Sequence, residues 1–347
     1  MRQVRTYDAG ELTERLRAGD GRAVARLISL VEDGAHEQLS EIADALNPDT
    51  GQAEVIGLTG SPGVGKSTLC DALVAAYRRA GRTVGVLAVD PSSPFTGGAL
   101  LGDRVRMQRH ALDEGVYIRS MATRGHLGGL AWATPQALRV LDAAGCDVVL
   151  VETVGVGQAE VEVASLADST VVLLAPGMGD AIQAVKAGIL EIADIFVVNK
   201  ADREGADAAV RDLRGMLALG DRPRGQSVPA GVGRATRTVN GSTTPDGDGA
   251  PWRPPVLKTV AERGDGVAEV VAAIATHHSH LAASGELTAR RERRAAAEIE
   301  HIAVGMVRAR LGWTSSGPAL PSLAADVAGG RTDPYTAAST LVDALPR

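Results

Sequence analysis

The chain has only two cysteines in 347 residues, Cys70 and Cys146, so it can build neither a disulfide framework nor a Cys-x-x-Cys metal site. Both are expected as small buried apolar side chains, one in a helix and one just ahead of an apolar strand. Long apolar runs are missing too. No segment approaches the roughly 18 residues that cross a bilayer, and Met1-Arg2-Gln3-Val4-Arg5-Thr6-Tyr7-Asp8 leads into a charged helix without a signal-peptide core. The expectation is a cytoplasmic, prokaryotic protein with no membrane partner. An excess of positive charge is also absent. With 36 basic against 42 acidic residues the net charge is −6, which removes the long-range attraction that would favour a nucleic-acid ligand. The run Arg290-Arg291-Glu292-Arg293-Arg294, interleaved with Glu286 and Glu298, reads as a solvated or partner-facing helix surface. What remains, at 45% hydrophobic residues, is the composition of an ordinary globular enzyme.

Two motifs far apart in the chain read as halves of one site. Gly60-Ser61-Pro62-Gly63-Val64-Gly65-Lys66-Ser67-Thr68 has the glycine spacing of a phosphate-binding loop, in which successive N–H groups turn inward around an anion. Lys66 would reach the β/γ-phosphates and the Ser67 hydroxyl would ligate Mg²⁺. The stretch from Glu54 to Thr59 reads as a buried strand, and Thr68 to Tyr77 as a helix with its N-terminus toward the anion. The second half is Asn199-Lys200-Ala201-Asp202, directly after the apolar strand Ala193 to Val198. A carboxylate at Asp202 can accept both the N1–H and the 2-amino group of guanine, whereas adenine presents a lone pair at N1. Asn199 would tie this base loop to the phosphate loop, and the Lys200 stem would cover a purine face.

Around these motifs, apolar strands alternate with helices from about residue 53 to 278. Strands are expected at 83–89, 116–119, 147–151, 169–174, 195–198 and 256–259, the near-continuous apolar pattern of a mostly parallel sheet covered by helices on both faces. The fold class is therefore α/β, a P-loop NTPase. Short amphipathic helices precede it at 8–47, and no repeat period emerges. Residues 221–255 hold six glycines and six prolines and read as a mobile surface insertion. From 286 onward a charged helix carries a narrow apolar stripe, the pattern of a packing seam.

Acidic residues stand at the ends of expected strands. Asp90 closes one, Asp103 lies in Gly102-Asp103-Arg104-Val105-Arg106, and Glu152 follows Val148 to Val151. As a set beside a phosphate loop they read as hard oxygen ligands for Mg²⁺. Glu152 with Gly155 forms Glu-Thr-Val-Gly, a variant of the Asp-x-x-Gly switch whose glycine N–H can hold a γ-phosphate. Lys66, Glu152 and Gly155 are thus the candidate catalytic residues. The position after the switch glycine is Val156 rather than glutamine, and the nearest amide is Gln158, so hydrolysis is expected to be slow until a partner or rearrangement completes the site. Arg104, Arg106, Arg109 and Arg124 are candidates to neutralise transition-state charge, each also readable as an ion-pairing surface residue.

The stretches Ala88 to Gly98, Gly102 to Met107, Thr123 to Leu130 and Val151 to Gln158, with Asp333-Pro334-Tyr335-Thr336-Ala337-Ala338, resemble the MeaB/ArgK family of P-loop GTPases over nearly the whole chain. The resemblance implies a homodimeric GTPase, cycling GTP and GDP, that chaperones an adenosylcobalamin-dependent acyl-CoA mutase, above all methylmalonyl-CoA mutase. It implies an Mg²⁺ shell of Ser67, Asp90, Asp103 and Glu152, and a partner-responsive switch within Ala175 to Lys186 that includes Gly179, Asp180, Gln183 and Lys186. It also implies a helical extension at 1–52, a G domain at 53–285 and a C-terminal dimerisation arm at 286–347. Two departures stand out. The last guanine loop reads Val260-Ala261 where the family has Ser-Ala, which leaves the Ala261 N–H for the guanine O6, and the 221–255 insertion is long. No Asp-x-His-x-x-Gly string is present, so cobalamin is expected on the partner and not on this chain.

Other readings compete. A metal-chaperone GTPase has its support in His277-His278-Ser279-His280, a cluster otherwise read as a solvated helix end. A kinase linked to amino-acid transport would need ATP, which Asp202 opposes. A scaffold with a structural nucleotide would show no turnover.

Overall fold

The computed structural model describes residues 8–33, 36–90, 108–110, 112–122, 133–153, 159–177, 189–220, 251–310 and 319–343. All seven expected apolar segments form strands: β1 Glu54–Gly60, β2 Val84–Asp90, β3 Val116–Ala122, β4 Val148–Thr153, β5 Ser169–Leu174, β6 Ile195–Val198 and β7 Val256–Lys258. They make one sheet in the order β3-β2-β4-β1-β5-β6-β7, parallel throughout. Every residue of β4, β5 and β6 is buried, which is why these strands read as unbroken apolar runs rather than alternating ones.

The helices are α1 Ala9–Arg17, α2 Gly21–Asp33, α3 His36–Leu46, α4 Lys66–Arg79, α5 Thr134–Ala143, α6 Ala159–Leu166, α7 Ile189–Ile192, α8 Ala206–Gly220, α9 Val267–Ser284, α10 Glu286–Arg310, α11 Ala319–Ala328 and α12 Pro334–Asp343. The N-terminal helices share a core with the sheet. Leu12, Leu16, Leu27 and Leu46 of α1 to α3 are buried in one cluster with Leu138 and Leu141 of α5 and with Leu87 and Met121 of the strands. Each such leucine contributes about 1.5–3 kcal/mol by leaving water. A second cluster joins α4 and α9 to the sheet through Leu69, Leu73, Val270 and Ile274. A third sets Val210 and Leu213 of α8 against Phe196 and Val198. Cys70 and Cys146 are both buried, as their sequence settings suggest, and burial pushes the Cys146 thiol well above its ordinary value.

One device closes the N-terminal edge of the sheet three times. Asp147, Asp168 and Asp194 each stand just before a strand, and each pairs twice with one residue of the neighbouring strand start. The N–H of Asp147 donates to Thr83 O at 2.9 Å, and the Thr83 N–H returns to its carboxylate at 2.7 Å. Asp168 does the same with Val55 at 2.8 and 3.1 Å, and Asp194 with Thr170 at 2.9 and 2.8 Å. Edge N–H groups that no strand could reach are thereby satisfied.

Asp194 gathers further partners. Arg290 of α10 donates to both its oxygens at 2.8 and 2.9 Å, and to Asp168 O at 2.9 Å. His277 of α9 lies 3.3 Å from Asp194 Oδ1 through Nε2 and 2.7 Å from Ser169 Oγ through Nδ1. Trp252 donates its indole N–H to Asp194 O at 2.8 Å, and its ring lies 4.7 Å from that of His277. Two sequence expectations change here. Arg290 is held against a buried carboxylate and is not solvated like a surface charge, and His277 is fully buried rather than at a solvated helix end. Burial would raise the Asp194 carboxyl, but the hydrogen bonds from His277 and Arg290 and the Arg290 charge hold it below the ordinary carboxylate range.

The chain divides into two compact units, 1–290 and 291–347. Within the second, α12 is capped by Asp333, whose Oδ1 accepts the N–H groups of Tyr335 and Thr336 at 2.9 and 3.0 Å. Ile299, Val307, Leu320, Tyr335 and Val342 of this unit are exposed apolar side chains. Among the described residues no helix is long and apolar enough to cross a membrane.

Removing Arg290 strips a buried carboxylate of its cation. Arg290→Ala is expected to lower the unfolding free energy by about 3 kcal/mol at pH 7, read from urea denaturation. Because the folded Asp194 value is depressed, this contribution is complete above the ordinary carboxylate range and lost as pH falls through the folded value. The gap between wild type and variant should therefore shrink in acid, and a gap independent of pH would contradict the assignment.

Candidate functional site

The two motifs meet at the C-terminal edge of the sheet, where open α/β folds bind ligands. The loop from Gly60 to Gly65 leaves β1 and enters α4. Three of its glycines have positive φ: Gly60 at 139°, Gly63 at 79° and Gly65 at 96°. A Cβ on Gly60 would sit 2.2 Å from Leu173 O, and one on Gly65 would sit 2.4 Å from Asn199 Nδ2. Neither position can carry a side chain. Ser61 and Thr68 are half-buried, Pro62 and Gly63 are exposed, and Val64 is buried beneath the loop.

Lys66 opens α4 and is 6% exposed, with Nζ donating to Gly60 O at 2.7 Å and Ser61 O at 3.1 Å. This places a cation inside the loop at the positive end of a helix, an arrangement suited to a polyphosphate. Beside it, Ser67 Oγ donates to Glu152 Oε1 at 2.6 Å. Glu152 is 4% exposed and reaches this point because Leu58 of β1 is in register with it on β4. Below the pair, Thr153 Oγ1 donates to Thr59 Oγ1 at 3.2 Å. A hydroxyl and a carboxylate held side by side are hard oxygen donors, and this chemistry fits Mg²⁺. Asp90 ends β2, two residues past Ala88, which is in register with Glu152; its side chain is not described. Asp103, Arg104, Arg106, Arg124, Gly155, Val156, Gln158, Gly179, Asp180, Gln183 and Lys186 lie outside the described residues, as does most of the 221–255 insertion.

The base loop is attached to the phosphate loop through Asn199. Its Nδ2 donates to Val64 O at 2.9 Å, while Oδ1 accepts from Thr259 Oγ1 at 3.0 Å and from Ala261 N at 3.1 Å. Lys200, at φ 56°, donates from Nζ to Gly63 O at 2.6 Å. Asp202 keeps a side chain 43% exposed, with Arg263 Nη1 at 3.9 Å. One sequence expectation is corrected. The Ala261 N–H is engaged by Asn199 and does not stand free for a guanine oxygen, and the Val260 N–H donates to Asp265 O at 3.0 Å.

Sequence reasoning overlooked Thr259, whose hydroxyl completes the hold on Asn199. Arg109, read as a transition-state candidate or an ion pair, is paired with Asp71 of α4. Among the described residues no cluster of three or more His, Cys, Asp or Glu side chains could hold a metal, and His277 is committed to Ser169 and Asp194, which removes the support for a metal-carrying histidine cluster.

Residues 24–314 match the family model described as Methylmalonyl Co-A mutase-associated GTPase MeaB. The chain belongs to the MeaB family. This MeaB-family chain is a P-loop GTPase. It is 47% identical over 333 residues to a putative GTPase of Pyrococcus abyssi, covering 96% of this chain and 95% of that one. It is 36% identical to the mitochondrial methylmalonic aciduria type A homolog of Mus musculus, covering 68% of this chain and 52% of that protein. A crystal structure of an LAO/AO transport system kinase aligns over 96% of both chains with a TM-score of 0.64 at 26% identity.

The contact between Gly65 and Asn199 can be tested directly. Gly65→Ala inserts a Cβ into Asn199 at a backbone angle closed to alanine, and should weaken binding of a fluorescent GDP analogue by at least about tenfold. Gly81→Ala is the control, with φ 78° but nothing within 4 Å of an added Cβ. It should lower stability by about 1 kcal/mol and leave GDP affinity intact. Equal affinities for the two variants would remove Asn199 as the bridge.

Proposed function

We propose that this MeaB-family GTPase is a Mg²⁺-dependent switch serving an adenosylcobalamin-dependent acyl-CoA mutase, with methylmalonyl-CoA mutase as the foremost candidate, by assisting the loading or protection of its cofactor. The observation that carries the GTP half is the Asn199 bridge, which holds a guanine-reading carboxylate and a phosphate loop in one frame. The mutase half rests on the printed name of the family.

In this reading Lys66 exchanges its two loop carbonyls for the β/γ-phosphates and offsets charge at the transferring phosphoryl group. Ser67 and Glu152, with Asp90 and Asp103, hold the metal. Bound Mg²⁺ would supply charge neutralisation between the phosphates. The Gly155 N–H holds the γ-phosphate, and Gly179, Asp180, Gln183 and Lys186 belong to the segment that answers the partner. Valine at position 156 leaves the attacking water without a positioning amide, so basal turnover is slow. The exposed apolar side chains of residues 291–347, among them Ile299, Val307 and Tyr335, support a homodimer built through the C-terminal arm.

Base choice provides one test. Asp202→Asn should weaken GTP binding and improve binding of xanthosine triphosphate, whose 2-oxo group accepts from the new amide. An unchanged ranking of GTP, ATP and xanthosine triphosphate would reduce residues 199–202 to a turn.

The partner is tested by linkage. A switch favours one complex only through differential affinity, and the mutase must shift nucleotide affinity by the same factor. Titrating acyl-CoA mutases against the GTP- and GDP-loaded protein while following phosphate release should show unequal affinities and a faster rate for the cognate mutase. Equal affinities and no acceleration with every such mutase of the source organism would reject the chaperone role.

A further inference from the structure

The sheet ends in two edge strands, and only one of them is guarded. β7 has three residues, follows Pro254 and Pro255, and holds Lys258 against Asp207 at 3.0 Å. Short length, proline and charge keep a sheet edge from pairing with another chain. β3 is seven residues long and contains no proline, and its one charged side chain, Arg119, turns back to α2, donating to Glu32 Oε2 at 3.1 Å and Ser29 Oγ at 3.2 Å. Its edge is therefore left open. Gly115 O accepts the Val84 N–H at 2.9 Å, so alternation along the strand turns the peptide groups of Tyr117 and Arg119 toward β2 and those of Ile118 and Ser120 outward. Among the described residues no group bonds these outward peptide groups.

A cleft of about 680 Å³ runs along this edge, between β3 and the start of α2. It touches Val116, Tyr117, Ile118 and Arg119 in succession. Neighbouring residues of a strand point to opposite faces, so a cavity that meets four in a row lies against the edge of the sheet rather than over one face. Val24 and Ile28 of α2 give the far wall its apolar surface, and the Arg119 bonds to Glu32 and Ser29 hold that wall in place. Leu112, 96% exposed, belongs to the rim. Of the charged side chains around the cleft, Asp20 is paired with Arg15 at 2.7 Å and Asp113 with Arg78 at 2.8 Å. Arg22 and Glu114 are exposed and have no ion partner among the described residues.

We propose that this cleft docks an extended peptide segment of a partner protein, which joins the sheet as an eighth strand beside β3. The main chain of the segment pairs with the outward peptide groups of Ile118 and Ser120. An apolar side chain packs on Val24 and Ile28, an acidic residue meets Arg22, and a basic residue meets Glu114. Charge complementarity thus selects a segment that carries both signs around an apolar centre. A cleft walled by a helix admits a single extended chain, whereas a second β3 would bring its own α2, fixed by the same Arg119 bonds, into the space. Neither nucleotide motif lines the cleft, so this docking site is independent of the GTP chemistry.

The test pans the GDP-loaded full chain against a phage-displayed library of random dodecapeptides, then measures the enriched sequences as fluorescent peptides by anisotropy. Enriched sequences should combine alternating apolar residues with an acid and a base. Arg22→Glu and Glu114→Lys, both at exposed positions, should each weaken their binding by about tenfold. N-methylation of one alternate set of peptide amides should abolish binding, and of the other set preserve it, since only one set faces β3. Bound peptide should slow amide exchange at Ile118 and Ser120 more than at Tyr117 and Arg119, whose amides already face β2. Enrichment of no peptide sensitive to the two charge reversals, or no added protection at Ile118 and Ser120, would overturn the docking site. Self-association in sedimentation velocity that the same reversals disrupt would put a second copy in the cleft and overturn the peptide assignment.

Discussion

The site depends on one buried amide, three of whose four hydrogen-bonding positions are taken by other loops. Asn199 donates to Val64 O and accepts from Thr259 and Ala261, joining three loops that are distant in sequence. Each loop follows a strand or helix start whose position the sheet already sets: β1 feeds the phosphate loop, β6 feeds Asn199 itself, and β7 feeds Thr259. Because Asn199 is 2% exposed, each of these bonds is made away from water, where leaving a partner unpaired costs about 1–3 kcal/mol. Gly65 is the corresponding constraint on the backbone, since the amide of Asn199 occupies the space a Cβ would need.

The two edges of the sheet use carboxylates in opposite ways. At the N-terminal edge Asp147, Asp168 and Asp194 are consumed by backbone N–H groups of neighbouring strands, and Arg290 and His277 add to the last of them. They tie each strand start to its neighbour. At the C-terminal edge Glu152 faces the hydroxyl of Ser67, a contact between two oxygen donors that a hard cation can share.

The sheet was legible because strands buried on both faces leave unbroken apolar runs, and β1, β4, β5 and β6 all lie in its middle. The phosphate and base loops were legible because each needs particular residues at fixed spacing. Arg290 and His277 were misread for a physical reason. A charge run and a histidine cluster look solvated on their own helices, and their burial comes from Asp194, which belongs to another part of the chain. Asp194 itself offered a signal, since aspartate immediately ahead of an apolar strand recurs at Asp147 and Asp168. Thr259 was overlooked because a threonine beside a loop has no spacing that sets it apart. The engagement of the Ala261 N–H could not be read from sequence either, because it depends on where the Asn199 amide points.

That engagement shifts the burden of base recognition. In the proposed reading, with the Val260 and Ala261 N–H groups taken up by Asp265 and Asn199, discrimination of guanine would fall to the carboxylate of Asp202. It is 43% exposed and stands 3.9 Å from Arg263, which in turn binds Asp265 at 3.1 Å. At that exposure the Arg263 charge is largely screened. Lys66 is poised similarly at the other end of the site. Its bonds to Gly60 O and Ser61 O keep a buried ammonium satisfied, so in the proposed reading phosphate binding would exchange neutral acceptors for charged ones rather than capture a free cation. Affinity at both ends is therefore a difference between two sets of polar contacts. The rigid part of the site is the frame between them, and Asn199 holds it.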